Sequence, residues 1–210
     1  MSLAHLLQLA SPTLPVGAYS YSQGLEAAIE AGYVKDAESA QAWIGDVLEL
    51  SLARMEVQVL RALIGDMSAA SRQDLNDVFV ATRESAELRA ETLQMGQALA
   101  RLLRELGVEV SVESPAYPTA YALAVRHWNI EPRAALVAYL WSWLENQVMA
   151  AVKSVPLGQT AGQKMLLQLG ERLAAVADLE IPEQDWSNFA PGLAYLSARH
   201  ETQYSRLFRS

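Results

Sequence analysis

Apolar residues recur at spacings of three and four over most of this chain, and that period predicts helices. Ile44, Leu48, Leu52, Met55, Val59 and Leu63 make one such stripe, with Asp36 placed to cap it. A long helix is predicted over 83–106, with Leu88, Met95, Leu99, Leu102 and Leu106 inward and Gly107 to stop it. Pro132 opens an apolar helix through Leu136, Leu140, Leu144, Val148 and Val152, which Pro156 breaks. Shorter helices fill the gaps. One covers Leu3 to Leu9 and ends before Pro12; another starts near Ser71 and Asp74 and carries Leu75, Val78 and Phe79. A third covers 119–128, behind Ser114-Pro115 or delayed by Pro118, and breaks at Asn129-Ile130. Thr160 with Gln163 offers a cap for Leu166, Leu167, Leu173 and Val176. A last segment, 193–207, has the stripe Leu193, Leu196, Tyr204 and Leu207. Val108 to Val112 alternates as a strand would, but no second candidate strand is near, so it reads as a connecting loop. Residues 178–192 combine two prolines, acids and Gly192, and read as a mobile connection. The expectation is an all-α fold, one domain over 1–210, with roughly eight to ten helices.

One stretch departs from this pattern. Ser11 to Glu26, SPTLPVGAYSYSQGLE, mixes two prolines, a glycine, two tyrosines and several hydroxyl residues. Pro12 and Pro15 push the residues before them toward extended backbone, so 11–16 should not be helical. Gly17 permits a turn there. Ser20 and Gln23 read as a capping box that starts a helix carrying Leu25, Ile29 and Val34 inward.

Composition adds a partner to the picture. Of 210 residues, 51% are apolar and 19% charged, more apolar and less charged than the average soluble domain. Such an excess implies surface covered by a partner or a second copy. No apolar run approaches the ~20 residues of a spanning helix, and the first residues lack the basic region and cleavage site of a signal peptide. The absence of cysteine excludes disulfides and thiolate metal sites and fits the cytoplasm. A formal charge of -8 argues against general nucleic-acid binding.

Catalytic patterns are weak. His5, His127 and His200 fall in separate segments without zinc or di-iron spacing, and each reads as a helix-face or core-edge residue. Gly158 to Met165 approaches a phosphate-binding loop but lacks a lysine directly after its second glycine and a hydroxyl for magnesium; a helix–helix turn is the better reading. Glu84, Glu87 and Glu91 share one helix face with Arg83 nearby, the pattern of a solvated ion-pair surface. No nucleophile sits in a glycine-flanked elbow. The chain is expected not to be an enzyme and to need no cofactor.

Four stretches, SPTLPVGAYSYSQGLE, Arg83 to Arg89 (RESAELR), Lys153 to Gln163 (KSVPLGQTAGQ) and Arg199 to Ser210 (RHETQYSRLFRS), together resemble the urease accessory protein UreF family. The chain departs from it at Tyr121-Ala122, where many relatives have phenylalanine-glycine, and at Ala161, where an acid is frequent. The resemblance implies an all-helical, homodimer-forming protein that binds a second accessory protein, UreD (UreH in some organisms). That pair recruits the GTPase UreG to apo-urease for nickel insertion. It also implies roles for particular residues. The tail folds back when UreD binds, and an arginine matching Arg206 braces the loop carrying a tyrosine matching Tyr19. Lys153, closing an apolar helix before Pro-Leu-Gly, is a surface contact or a cation suited to the helix C-terminus. Glu26 is an exposed recognition acid or a first-turn acid facing the helix dipole. An alternative within the same setting is a regulator that supplies an arginine to accelerate GTP hydrolysis by the nickel-delivery GTPase.

Overall fold

Side chains and main-chain caps set where each helix of this chain starts and stops. The computed structural model describes residues 2–210. In order, the α-helices are α1 (Ser2–Leu9), α2 (Leu25–Glu30), α3 (Ala37–Val47), α4 (Val57–Ile64), α5 (Ala69–Ala81), α6 (Ala86–Glu105), α7 (Tyr117–His127), α8 (Pro132–Ser154), α9 (Gln159–Asp178) and α10 (Pro191–His200). A π-helical stretch, Leu48–Glu56, joins α3 to α4 as one continuous rod. Among the described residues there is no strand, and 108–112 is a connection as its isolation predicts.

Asp36 accepts from the Ser39 amide at 2.9 Å while the Ser39 hydroxyl accepts from the Asp36 amide at 3.1 Å, a reciprocal cap for α3. Ser85 caps α6, and the Glu131 carboxylate takes the amides of Arg133 and Ala134 at the head of α8. At the far ends, α6 and α7 stop alike. Gly107 (φ 79) and Asn129 (φ 49) take the left-handed turn, and the next amide returns to a carbonyl five residues back.

Several boundaries differ from the sequence expectation. Ser20 and Gln23 form no capping box: Gln23 itself has φ 52, α2 starts behind Gly24, and the Gln23 amide is engaged by Glu91 and Trp143. Ser68, not Ser71, caps α5; Ala116 precedes α7; and α9 begins after Gly158 without a side-chain cap. The last segment is not helical to Leu207. It leaves the helix at His200, so Tyr204 and Leu207 are exposed rather than part of a stripe. Leu106 and Leu167 also face outward.

The core is built on α8, which packs against α9, α4, α3, α2 and α1. Its Leu136, Leu140, Leu144 and Val148 are at most 1% exposed. Tyr117 and Tyr121 of α7 meet Tyr139 of α8 in an aromatic cluster with ring centres 5.0–6.3 Å apart. Residues 179–190 run beside the π-helical stretch. Gln58 donates to the Leu179 carbonyl and accepts from the Ile181 amide, and the Ser187 amide donates to the Arg54 carbonyl. Among the described residues, no helix is long and apolar enough to cross a membrane.

Candidate partner-binding site

Residues 17–24 make the turn that ties three distant parts of the chain together. Gly17 and Gly24 both take positive φ, near 79° and 77°, and hold a single 3₁₀ turn, Ala18–Ser20, followed by extended Tyr21. That extended piece leaves main-chain groups free for the tail. The Arg209 amide donates to the Ser20 carbonyl at 2.7 Å, and the Ser22 amide donates to the Ser210 carbonyl at 2.6 Å. The two segments therefore pair like strands over two residues.

Carboxylates anchor the rest of the tail. Glu26 accepts from the amides of Leu207 (2.7 Å) and Phe208 (3.1 Å) and from His200 Nε2 (3.1 Å). Glu87 faces the opposite edge of the same ring, 2.6 Å from Nδ1, and accepts from Arg206 Nη1 at 2.7 Å. His200 is wholly buried between them. Because the acids approach opposite edges of the imidazole, they do not converge on a point; no three His, Asp or Glu among the described residues form a metal cage. One helical turn on, Glu91 accepts from Gln23 (2.7 Å) and from the Ser210 hydroxyl (2.9 Å). Burial pushes the Glu91 carboxyl up to about 7, against the pull of those two hydrogen bonds and of Arg83.

The face of α6 that reads as a solvated ion-pair surface is thus enclosed. Glu91 is 5% exposed, and the Glu87 and Arg83 side chains are 14% and 6% exposed. Nor is His200 at the core edge. Both expectations fail for one reason: Glu87 pairs with the His200 and Arg206 side chains, and Glu91 with those of Ser210 and Gln23, and helical spacing carries no trace of such distant pairing.

The four residues singled out from the sequence fall into two groups. Tyr19 and Lys153 come together, with the Lys153 ammonium 5.8 Å from the centre of the Tyr19 ring. Lys153 is exposed in the last turn of α8. Burial and nearby Glu145 raise the Tyr19 phenol. Arg206 and Glu26 belong to the tail cluster instead. Glu26 stands in the first turn of α2 but faces inward at 8% exposure, and Arg206 bonds Glu87 rather than the loop at Tyr19. The tail contacts on the loop come from Arg209 and Ser210. His200, Glu87, Glu91 and Ser22 are members of the site that sequence reasoning missed. The available signals were the spacing of Glu84, Glu87 and Glu91 and the places of Ser22 and His200 inside two of the motif stretches.

Between the two groups lies a cavity of about 60 Å³, walled by Leu14 and Tyr19 and floored by Glu56, Arg83, Glu91 and Tyr139. Its lining mixes apolar side chains with these polar groups, and it is large enough for ordered water. Arg83 donates to Glu56 at 3.3 Å, and Tyr139 donates to the other oxygen of the same carboxylate. Exposed residues of α10 and its flanks are aromatic and basic: Arg199 lies over the Tyr195 ring at 5.8 Å, and Phe189, Tyr204, Leu207 and Arg209 are exposed too. Arginine among exposed aromatics is the composition that protein interfaces favour.

Known proteins are similar to this chain along its whole length. The family described as UreF matches residues 34–170. The chain is 53% identical to the urease accessory protein UreF of Azoarcus sp. (strain BH72), over all of this chain and 96% of that protein. It is 52% identical to the protein of that name from Dechloromonas aromatica (strain RCB), over all of this chain and 98% of the other. The urease accessory protein UreF of Methylobacillus flagellatus is 50% identical, with the same coverage.

Proposed function

The chain belongs to the urease accessory protein UreF family, and from that premise we propose that it is a non-enzymatic factor in urease maturation. In this reading it binds a UreD/UreH-type accessory protein and, with it, recruits the GTPase UreG to apo-urease for nickel insertion. It works as a homodimer in the cytoplasm and holds no cofactor of its own. The observation that carries the reading is full-length similarity at about half identity, joined to a built surface at the matching motifs. The exposed aromatics and arginines over α10 and the tail suit a protein partner, and we assign them to UreD. Tyr19 with Lys153 presents a second, separate contact, assigned to UreG.

The test is co-purification of tagged chain with UreD and UreG. Arg206→Ala should keep the fold and the dimer, read by circular dichroism and light scattering, while GTPase recovery falls to background. Lys153→Ala removes an exposed contact worth only about 0.5 kcal/mol to the fold, so it should leave stability unchanged and weaken UreG recovery alone. Full recovery of UreG by both variants would refute the assignment of these surfaces.

A further inference from the structure

The tail reaches the signature loop over a carboxyl group that has a second neighbour, the cavity. Glu91 Oε1 accepts from Gln23, Oε2 pairs with the Ser210 hydroxyl, which can donate to a carboxylate or accept from a carboxylic acid, and the same side chain lines the cavity. Ser210 is wholly buried on it. Lifting the tail lets water reach Glu91 from that side, and this outweighs the loss of the Ser210 hydrogen bond, because burial is the largest influence on this carboxyl. A carboxyl that is dry when covered and wet when uncovered holds its proton more tightly in the covered state. The charges facing it do not cancel this. Arg83 approaches from the α5–α6 connection, but Glu56 on the π-helical stretch opposes it. Tyr21 and Gln23 come from the loop, Trp143 and Asn146 from α8, and Arg209 from the tail, beside Tyr21. His200, Glu26, Glu87 and Arg206 form their own closed set of bonds one turn away.

We propose that the tail is a proton-gated clasp: Glu91 is protonated while Ser210 covers it, and loss of that proton releases residues 207–210 from the signature loop. Release bares the Ser20 carbonyl and the Ser22 amide, the two main-chain groups that the tail engages. The covered carboxyl sits at about 7, against an ordinary value of 4.5. The open-to-closed ratio of the tail then rises by about tenfold per pH unit between these limits and levels off above them. The sign is that of an acid held up by burial: the clasp is firmest in acid and loosens as pH rises.

Hydrogen exchange on the full chain reads this directly, because the amides of Leu207, Phe208 and Arg209 are clasp donors. Expressed as protection factors, which divide out base catalysis of exchange, their protection should fall about tenfold per pH unit from pH 5 to 7. Amides within α6 serve as the reference. Glu91→Gln keeps both hydrogen-bond partners but has no proton to lose, so its protection should be high and independent of pH. Because that variant retains Glu26, His200 and Glu87, a slope that persists in it would belong to them and would overturn the proposal; so would a flat profile in the parent chain. A carbon-13 titration of the Glu91 carboxyl in the parent chain needs no variant. A midpoint near 7 agrees with the clasp, and one near 4.5 refutes it.

Discussion

Where α6 crosses the start of α7, a single hydrogen on Gly96 faces main chain. A methyl group there would come within 2.0 Å of the Pro115 carbonyl oxygen and 2.5 Å of the Ala116 carbonyl carbon. Two effects of Gly96→Ala oppose each other. Alanine favours a helix interior over glycine by about 1 kcal/mol. Overpacking a filled site opposes folding by about 1–3 kcal/mol, and more when the obstacle is backbone that cannot rotate away. Here the obstacle is backbone, so the second effect wins. Gly96→Ala should lower the urea midpoint by an amount equal to about 2 kcal/mol or more, with the slope unchanged. Gly162 makes the contrast: its nearest neighbour is a methyl of half-buried Val152 at 2.8 Å, a side-chain atom near the end of α8 rather than main chain. Alanine at 162 should therefore cost less than alanine at 96 in the same measurement.

At the scale of elements, α10 and α2 are joined through His200. The wholly buried ring supplies a partner to Glu26 on one edge and Glu87 on the other. His200→Ala would leave two buried acids facing an empty space, and a lost hydrogen bond to a charged group is worth about 1.5–3 kcal/mol. The variant should unfold about 2–4 kcal/mol more easily, and α10 and the tail should lose hydrogen-exchange protection before α6 does. The stripes of α6 and α8 were legible from sequence because apolar spacing encodes which face turns inward, and Leu99, Leu140 and Leu144 do so. The stops at Gly107 and Asn129 were legible too, from residue types that tolerate the left-handed turn. The polar half of the site was not. Glu87 and Glu91 are buried by residues more than a hundred positions away, and no local period records such a pairing. The Ser20–Gln23 box looked right by spacing, yet Gln23 is drawn to Glu91 and Trp143, and tertiary contacts overrode the local signal. Tyr19 and Lys153, named separately from the sequence, lie side by side, the ammonium 5.8 Å from the ring centre.

For the molecule as a whole, the titrating groups set opposite slopes at the two ends of the pH range. Asp36 and Asp178 lie below the ordinary carboxylate range, held by Ser39 and by Arg133 respectively. Their stabilisation is present above the unfolded value, 3.8, and is lost as pH falls through the lower folded values. Glu91 acts in the other direction. Its stabilising proton is fully bound below 4.5, and its contribution is lost as pH rises from there to about 7. That interval corresponds to about 3 kcal/mol of unfolding free energy at most. Buried Tyr117, Tyr121 and Tyr139 have phenols pushed up by burial, so they add a further loss above the unfolded value of 10.0. Global stability should therefore peak on the acid side of neutrality. The fall above that peak has a ceiling, because the native chain has an alternative to holding a buried charge: it can open the tail. Once opening the clasp takes less free energy than ionising Glu91 beneath it, the folded state relaxes through the clasp and the global slope vanishes before 3 kcal/mol is reached. Urea unfolding of the parent chain at a series of pH values between 5 and 8 should accordingly level off at the pH where residues 207–209 lose their exchange protection. In Glu91→Gln both the fall and the loss of protection should disappear together. A fall in stability that continues past the loss of tail protection would mean that the charge is still buried when the tail is open, and that Glu91 is not the group beneath the clasp.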